Sequence, residues 1–460
     1  MIFPEEFIKR ISGQEYINPT ALLDALNEPS PISIRINRRK WSGTPKDAES
    51  VPWSSNGFYL QSRPSFTADP LYHSGCYYPQ EASGMFLEQV VMQTTGNNGS
   101  YRFLDLCGAP GGKTTILADL TGEEGFLVSN EVIRSRASIL SETVSKWGSG
   151  NILVTQNDPS AFKGLPGFFD LILTDAPCSG EGMFRTEIAR SEWSTDNAAL
   201  CPERQKRILL DAWPALKENG ILIYSTCTFN PSENEEIIRW LTGSGRAECI
   251  RIDTRSFPGI AEIDFEGIFG YGFHPGRVRG EGFFIAAVRK LEAVKGSVMA
   301  KRYQNPVQPS KDECSSAAFV SEFSRDRIVK TGDRVAALAC DPSIYPEISA
   351  ALRVLSPGTM LGNMKQKDFI PDHDLALSTV ITRGAFPELE LGYDDAITYL
   401  RRDNLSGISC AEGWNLVTFR AVPLGFVKNI GRRLNNYFPM EMRIRMNKTD
   451  LAGKETVNWI

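Results

Sequence analysis

Between about residues 100 and 290 the chain alternates short β-rich apolar runs with turn-rich stretches and helical segments. The runs read "YRFLDLC", "GFLVSNE", "NILVTQND", "FDLILTDA", "GILIYSTC" and "GFFIAAVRK", with helix candidates over 132–147 and 202–217 between them. Strands joined through helices pair in parallel, and such a sheet is covered on both faces and binds ligands outside the carboxyl ends of its strands. The alternation predicts an α/β fold and aims every polar residue that ends a run at one crevice.

A chain of 460 residues exceeds what one core sustains. We expect an N-terminal extension over 1–70, the α/β domain over 71–290 and a linker over 291–320, where Pro, Lys and Ser replace periodicity. An intermediate domain over 321–390 and a small β-rich module over 391–460 follow. No apolar run approaches the roughly 18 residues that a membrane span needs. The start, "MIFPEEFIKRIS", mixes acids and bases where a signal peptide would be apolar, so the expectation is a cytoplasmic protein without a membrane partner. Nine cysteines without pairs at metal-ligand spacing read as reduced thiols, and no metal site is expected. A net charge of −5 means that any claim of nucleic-acid binding must rest on local charge.

The loop "LDLCGAPGGKTT" follows the first run and leads into a helix from about Lys113. A Walker A loop needs four residues between its first glycine and Gly-Lys-Thr, and only Ala109, Pro110 and Gly111 separate Gly108 from Gly112. No register supplies Gly-x-Gly-x-x-Gly either. A tight strand-to-helix turn without a ligand is the bland reading. Against it stands Glu131, which ends the next run where folds of this kind hydrogen-bond a ribose. Asp158, ending the third run, would then face an adenine amino group. A nucleoside cofactor without a phosphate fingerprint points to S-adenosylmethionine.

Two further runs end near cysteines, Cys178 in "FDLILTDAPCSGEG" and Cys227 in "YSTCTFNPSENEE". A lone cysteine after a strand is usually a small buried hydrophobe, but two on loops of the same sheet fit a specific chemistry. The C5 carbon of a pyrimidine is a poor nucleophile until something adds at C6, and a thiolate is well suited to that addition. The C5 proton must then leave and the covalent bond must break, which calls for a nearby base and makes a second cysteine useful. Asp175 is placed to hydrogen-bond the N3 and N4 edge of a cytosine and to stabilise charge that builds there.

The motifs "DLCGAPGGKTT", "NEVIRSR", "TDAPCSGEGMFR" and "YSTCTFNPSENEE", in this order, resemble those of the Nol/Nop/Sun family of RNA cytosine-5 methyltransferases. The resemblance implies a Rossmann-like class I S-adenosylmethionine methyltransferase core with a mostly parallel seven-stranded sheet. It also implies that Cys227 attacks C6 and that Cys178 assists product release. Cys107, Gly108, Ala109, Pro110, Gly111, Gly112, Lys113, Glu131, Asp158 and Asp175 would form the S-adenosylmethionine site. DNA cytosine methyltransferases use the Pro-Cys cysteine as nucleophile, so the assignment of Cys227 over Cys178 rests on the resemblance and not on spacing.

"YHSGCYYPQEASGMF" and "RGEGFFIAAVRK" flank the core as in a bacterial RsmF-type subgroup that acts on 16S ribosomal RNA, and the chain's tail is similar to the end of that subgroup, a PUA-like RNA-binding domain. The implied partner is 16S ribosomal RNA or the small ribosomal subunit, and the chain is expected to be a monomer. Arg420, Lys428, Arg432, Arg433, Arg443, Arg445 and Lys448 form a basic segment opposed only by Glu441, and Arg35, Arg38, Arg39 and Lys40 form a smaller one. Such clusters can neutralise phosphates, and Arg35, Lys428, Arg432 and Arg433 are the candidate RNA contacts. Two other readings stay open here: a transfer RNA substrate, and a non-catalytic RNA-binding assembly factor. Thr228 stands where the family often has serine, and His274 precedes Pro275 where the subgroup usually has Pro-His.

Overall fold

Strands buried on both faces build the centre of the molecule, a sheet of ten strands in a computed structural model that describes residues 3–96, 99–243, 245–293, 306–366 and 368–460. Ile152–Thr155 is buried at every position and Phe169–Asp175 at all but its two aspartates, as a sheet covered by helices requires. Leu216–Thr226, Phe169–Asp175, Arg102–Asp105, Phe126–Asn130 and Ile152–Thr155 run parallel in that spatial order. Phe283–Lys290 pairs antiparallel beyond Leu216–Thr226. The chain first winds outward from Arg102–Asp105 to Ile152–Thr155, then crosses back to Phe169–Asp175 on its other side. The switch point thus lies between the loops that follow Asp105 and Asp175, where such sheets hold ligands.

The sheet is larger than the seven strands expected. The hairpin Ala261–Phe265 and Ile268–Phe273 extends one edge, and Ala247–Ile250 pairs with Phe283–Lys290. Val354–Ser356 arrives from far along the chain to pair antiparallel with Ile152–Thr155. The helices that cover it include Leu87–Thr95, Gly112–Leu120, Arg134–Trp147, Glu235–Thr242 and Thr195–Ala212, the last beginning well before the expected 202 because Ser194 Oγ caps it by accepting from the Asn197 N–H. Lys217, expected as its end, is instead in a strand.

Two helices, Glu5–Ser12 and Pro19–Leu26, and an antiparallel sheet ordered Glu49–Ser50, Gly57–Leu60, Ile32–Ile36, Tyr77–Pro79 form the N-terminal part. The expected linker falls partly on 294–305, outside the described residues. Its remainder does not behave as a linker, because Glu313–Phe319 forms 3-10 turns and buried Val320 joins an apolar cluster with Leu361, Phe386 and Phe426. The intermediate segment also contributes Ala339, Cys340, Ile348 and Leu352 to the core beneath the central sheet. The last sheet, Glu388–Glu390, Gly413–Phe419, Val422–Asn429 and Leu434–Asn436, is β-rich as predicted. Among the described residues no helix is long and apolar enough to cross a membrane.

Candidate active site

Because Asp175 pairs with Ser225 in neighbouring parallel strands, the loops that follow leave the sheet side by side. Cys178 Sγ and Cys227 Sγ come to 3.2 Å from each other. The loops are tied by Gly182 N–H donating to Cys227 O at 2.8 Å and by the Ser179 and Thr228 hydroxyls, also 2.8 Å apart. Glycine is required at 182, since a Cβ there would lie 2.3 Å from Gly282 O.

Asp175 sits beneath the pair, accepting from Lys113 Nζ at 2.9 Å and Ser225 Oγ at 2.7 Å. The two thiols differ in acidity. Cys227 is held below the usual thiol value, chiefly by the hydrogen bond from Cys178, with burial and Asp175 opposing and the Lys113 ammonium assisting. Cys178 is raised well above it by the same bond, by burial, and by the negative charges of Cys227 and Glu233. The sulfur–sulfur contact itself admits a donor on either side, and the Cys227 N–H also donates to Cys178 Sγ at 3.4 Å, which opposes the rise at Cys178.

At the switch point, Gly108 N–H donates to Asn130 O at 2.7 Å, and a Cβ on Gly108 would meet Ser129 Oγ at 2.3 Å. Ala109 and Pro110 are joined by a cis peptide, and Gly111, with φ +119°, leads into the helix at Gly112. Cys107 is partly buried on this loop, and burial raises its thiol well above the ordinary value. Asn130 binds the parts together: its amide donates to Leu106 O and Asn157 O, and its oxygen accepts from Thr155 Oγ1 and the Asn157 N–H.

Whether S-adenosylmethionine fits can be judged from two orphaned acceptors. Glu131 is buried and accepts from the Ile133 N–H at 3.0 Å through Oε1, while Oε2, 3.4 Å from the Arg136 guanidinium, has no hydrogen-bond partner. Asp105 is fully buried, with Oδ2 on Thr114 Oγ1 at 2.6 Å and Oδ1 unpartnered. Burial pushes the Asp105 carboxyl up to about 7, opposed by the Thr114 bond. Buried acceptors without donors are costly unless a ligand supplies them. The hydroxyls and ammonium of this cofactor are such donors, and the half-exposed apolar Val132 and Ile133 beside Glu131 offer a surface to its base. The residues present fit the group. Asp158 lies at the rim, accepting from the Ser160 N–H at 3.0 Å and Oγ at 2.7 Å, 3.8 Å from Arg207.

Sequence reasoning missed Asp105, whose acid was hidden at the end of an apolar run, and Glu233, one carboxylate in an acidic stretch. It also assigned Arg35 to RNA, which the structure contradicts. Arg35 is buried, donates to Asp119 Oδ2 at 3.0 Å, Gln80 Oε1 at 3.1 Å and Thr115 Oγ1, and lies 4.4 Å over the Trp147 ring. Its neighbour Lys40 is equally committed, donating to Ser74 O and Lys146 O, with burial lowering its ammonium to about 7. Arg432 and Arg433 are exposed, whereas Lys428 pairs with Asp368 and rests 5.1 Å over Trp414. Among the described residues no three His, Cys, Asp or Glu side chains group as a metal site would require.

The sheet order, the glycine loop at the switch point and the crevice it opens define a Rossmann-like methyltransferase fold. Three comparisons place it further. Residues 3–82 match the N-terminal domain of 16S rRNA methyltransferase RsmF, 92–289 match 16S rRNA methyltransferase RsmB/F, and 386–444 match the methyltransferase RsmF PUA domain. Ribosomal RNA small subunit methyltransferase F from Klebsiella pneumoniae (strain 342) is 31% identical over 98% of this chain and 98% of its own. A methyltransferase homolog protein from Pyrococcus horikoshii superposes with a TM-score of 0.52 at 28% identity, over 62% of this chain and 94% of its own. NSun6 from the same organism, solved with SFG, shares the fold at a TM-score of 0.52 and 19% identity, over 63% and 99%. The chain belongs to the ribosomal RNA small subunit methyltransferase F family.

Proposed function

We propose that this protein transfers a methyl group from S-adenosylmethionine to C5 of a cytosine in 16S ribosomal RNA through a covalent bond between Cys227 and C6. The observation that carries the reading is the pair of thiols 3.2 Å apart beside the Lys113–Asp175 ion pair. The RNA substrate is supported by family membership and by the match to an RsmF PUA domain.

Cys227, the more acidic thiol, adds to C6, and the electron density displaced toward C4 and N3 is met by the Lys113 ammonium, while the Asp175 carboxylate accepts from the N4 amino group. When bound, the cofactor supplies an electrophilic methyl group to the C5 carbon that this addition has activated. The C5 proton then passes to water, the freed electron pair re-forms the C5–C6 double bond, and Cys227 leaves as thiolate, accepting from the Cys178 thiol beside the breaking C–S bond. The target base must leave its stack to enter the crevice, since a stacked ring is not open to attack at C6.

A denaturing gel of Cys178→Ala and Cys227→Ala mixed with ribosomal RNA and S-adenosylmethionine tests the assignment. A protein–RNA adduct in Cys178→Ala alone is expected, with no product from Cys227→Ala. Adduct in Cys227→Ala alone would exchange the roles, and turnover by Cys227→Ala would remove the covalent mechanism.

A further inference from the structure

Glu233 is a fully buried carboxylate with four donors aimed at it. Oε2 accepts from the Ser179 N–H at 2.9 Å and Gln205 Nε2 at 3.1 Å, and Oε1 from Ser179 Oγ at 2.5 Å and Asn230 Nδ2 at 3.0 Å. It stands on the 3-10 turn Pro231–Glu233 that follows the Cys227 loop, and Ser179 is the residue after Cys178. The carboxylate therefore reaches from one cysteine's loop to grip the other's at its nearest neighbour. Tyr224, on the strand leading to Cys227, donates through its hydroxyl to Glu233 O at 2.6 Å and fixes the turn from below.

We propose that Glu233 is a positioning residue for product release, holding the Cys178 thiol against Cys227 by clamping Ser179 through both its N–H and its hydroxyl. This rests on the reading of Cys227 as nucleophile and Cys178 as the release group. A glutamine at 233 cannot replace the carboxylate. Whichever way its amide turns, its NH2 faces a donor: Ser179 N–H and Gln205 on one side, Asn230 on the other. Asn230 cannot rotate to accept, because its Oδ1 already accepts from the Ser232 N–H at 3.2 Å. The charge of Glu233 also favours the protonated form of Cys178, which is the form that donates to Cys227.

The test compares Glu233→Gln with wild type and Cys178→Ala. Without RNA, the rate at which iodoacetamide alkylates Cys227, followed by mass spectrometry across about pH 6 to 9, reports its thiolate fraction. With ribosomal RNA and S-adenosylmethionine, a denaturing gel reports trapped adduct. We expect the midpoint of the alkylation profile to rise in Glu233→Gln, the rate at pH 7 to fall roughly three-fold or more, and adduct to persist as in Cys178→Ala. A wild-type alkylation profile with full turnover and no adduct in Glu233→Gln, while Cys178→Ala traps RNA, overturns the proposal and leaves the cysteine roles standing. No adduct in Cys178→Ala overturns both. If Glu233→Gln fails to fold, Ser179→Ala removes the hydroxyl contact while leaving the carboxylate its other donors. The same shifts in smaller degree are then expected, and a wild-type profile in Ser179→Ala overturns the clamp.

Discussion

Arg35 carries its charge inward. On the strand Ile32–Ile36 it alternates with Ile34 and Ile36, a period that by itself places arginine on an open face, yet that face is covered by the helix Gly112–Leu120. The guanidinium is therefore a bolt between the N-terminal sheet and the helix that starts at the glycine loop. Burial makes it less basic, and the nearby Asp119 carboxylate opposes that shift. Arg35→Ala removes one partner of a mostly buried ion pair and the donor to Thr115 and Gln80, leaving Asp119 only Trp147 Nε1 at 3.4 Å and Arg39 at 3.9 Å, a loss of about 3 kcal/mol. Urea unfolding should show that loss, while RNA affinity of the folded protein stays at the wild-type value. Weaker RNA binding at unchanged stability would return Arg35 to the RNA interface.

The elements that end at the crevice act through their loops. Asn130, buried at the end of Phe126–Asn130, spans from Leu106 on the glycine loop to Asn157 beside Asp158. Asn157 in turn accepts from the Arg353 N–H at 2.9 Å, just before the strand Val354–Ser356. The intermediate segment thus reaches the proposed adenine side of the cofactor site at Arg353, whose carbonyl also accepts from the Gln156 N–H at 3.0 Å and Asn157 Nδ2 at 3.3 Å. Asn130→Ala should weaken S-adenosylmethionine binding about ten-fold, worth ~1.4 kcal/mol for the bonds it releases. Calorimetry would show this, and unchanged affinity would mean that the loops hold themselves. Much at this scale was readable beforehand, because strands buried on both faces appear as short apolar runs, such as residues 152–154 and 171–173. Val354–Ser356 was not, since a three-residue strand carries no period and its place depends on a partner far away in sequence. The cysteines could be assigned to neighbouring loops but not to contact, and Glu233 could not be told from Glu235 or Glu236 until the fold turned it toward Ser179.

At the scale of the whole molecule the modules are interlocked. The final residues pair back onto the N-terminal part, with Thr44 and Ile460 exchanging backbone hydrogen bonds and Trp459 packing against Trp41 and Tyr77. The intermediate segment shares the central core on one side and the last sheet's core on the other. The C-terminal sheet is consequently held at a set place relative to the crevice rather than tethered by a free chain, so RNA held there would meet the crevice at a defined distance. Arg432 and Arg433 project from the turn between Val422–Asn429 and Leu434–Asn436, exposed and on a chain whose net charge is −5. Repulsion from acids farther than about 10 Å is screened at physiological salt, so these two cations act on phosphates locally despite the overall charge. Replacing both with alanine should leave thermal stability unchanged, because neither is buried. RNA affinity should fall similarly across RNA sequences, and the slope of log affinity against log salt should shrink by about one for each phosphate that is no longer neutralised. A titration over a range of salt reads that slope directly. An unchanged slope would move phosphate binding to other cations of the segment, with the exposed Arg420, Arg443, Arg445 and Lys448 to substitute next.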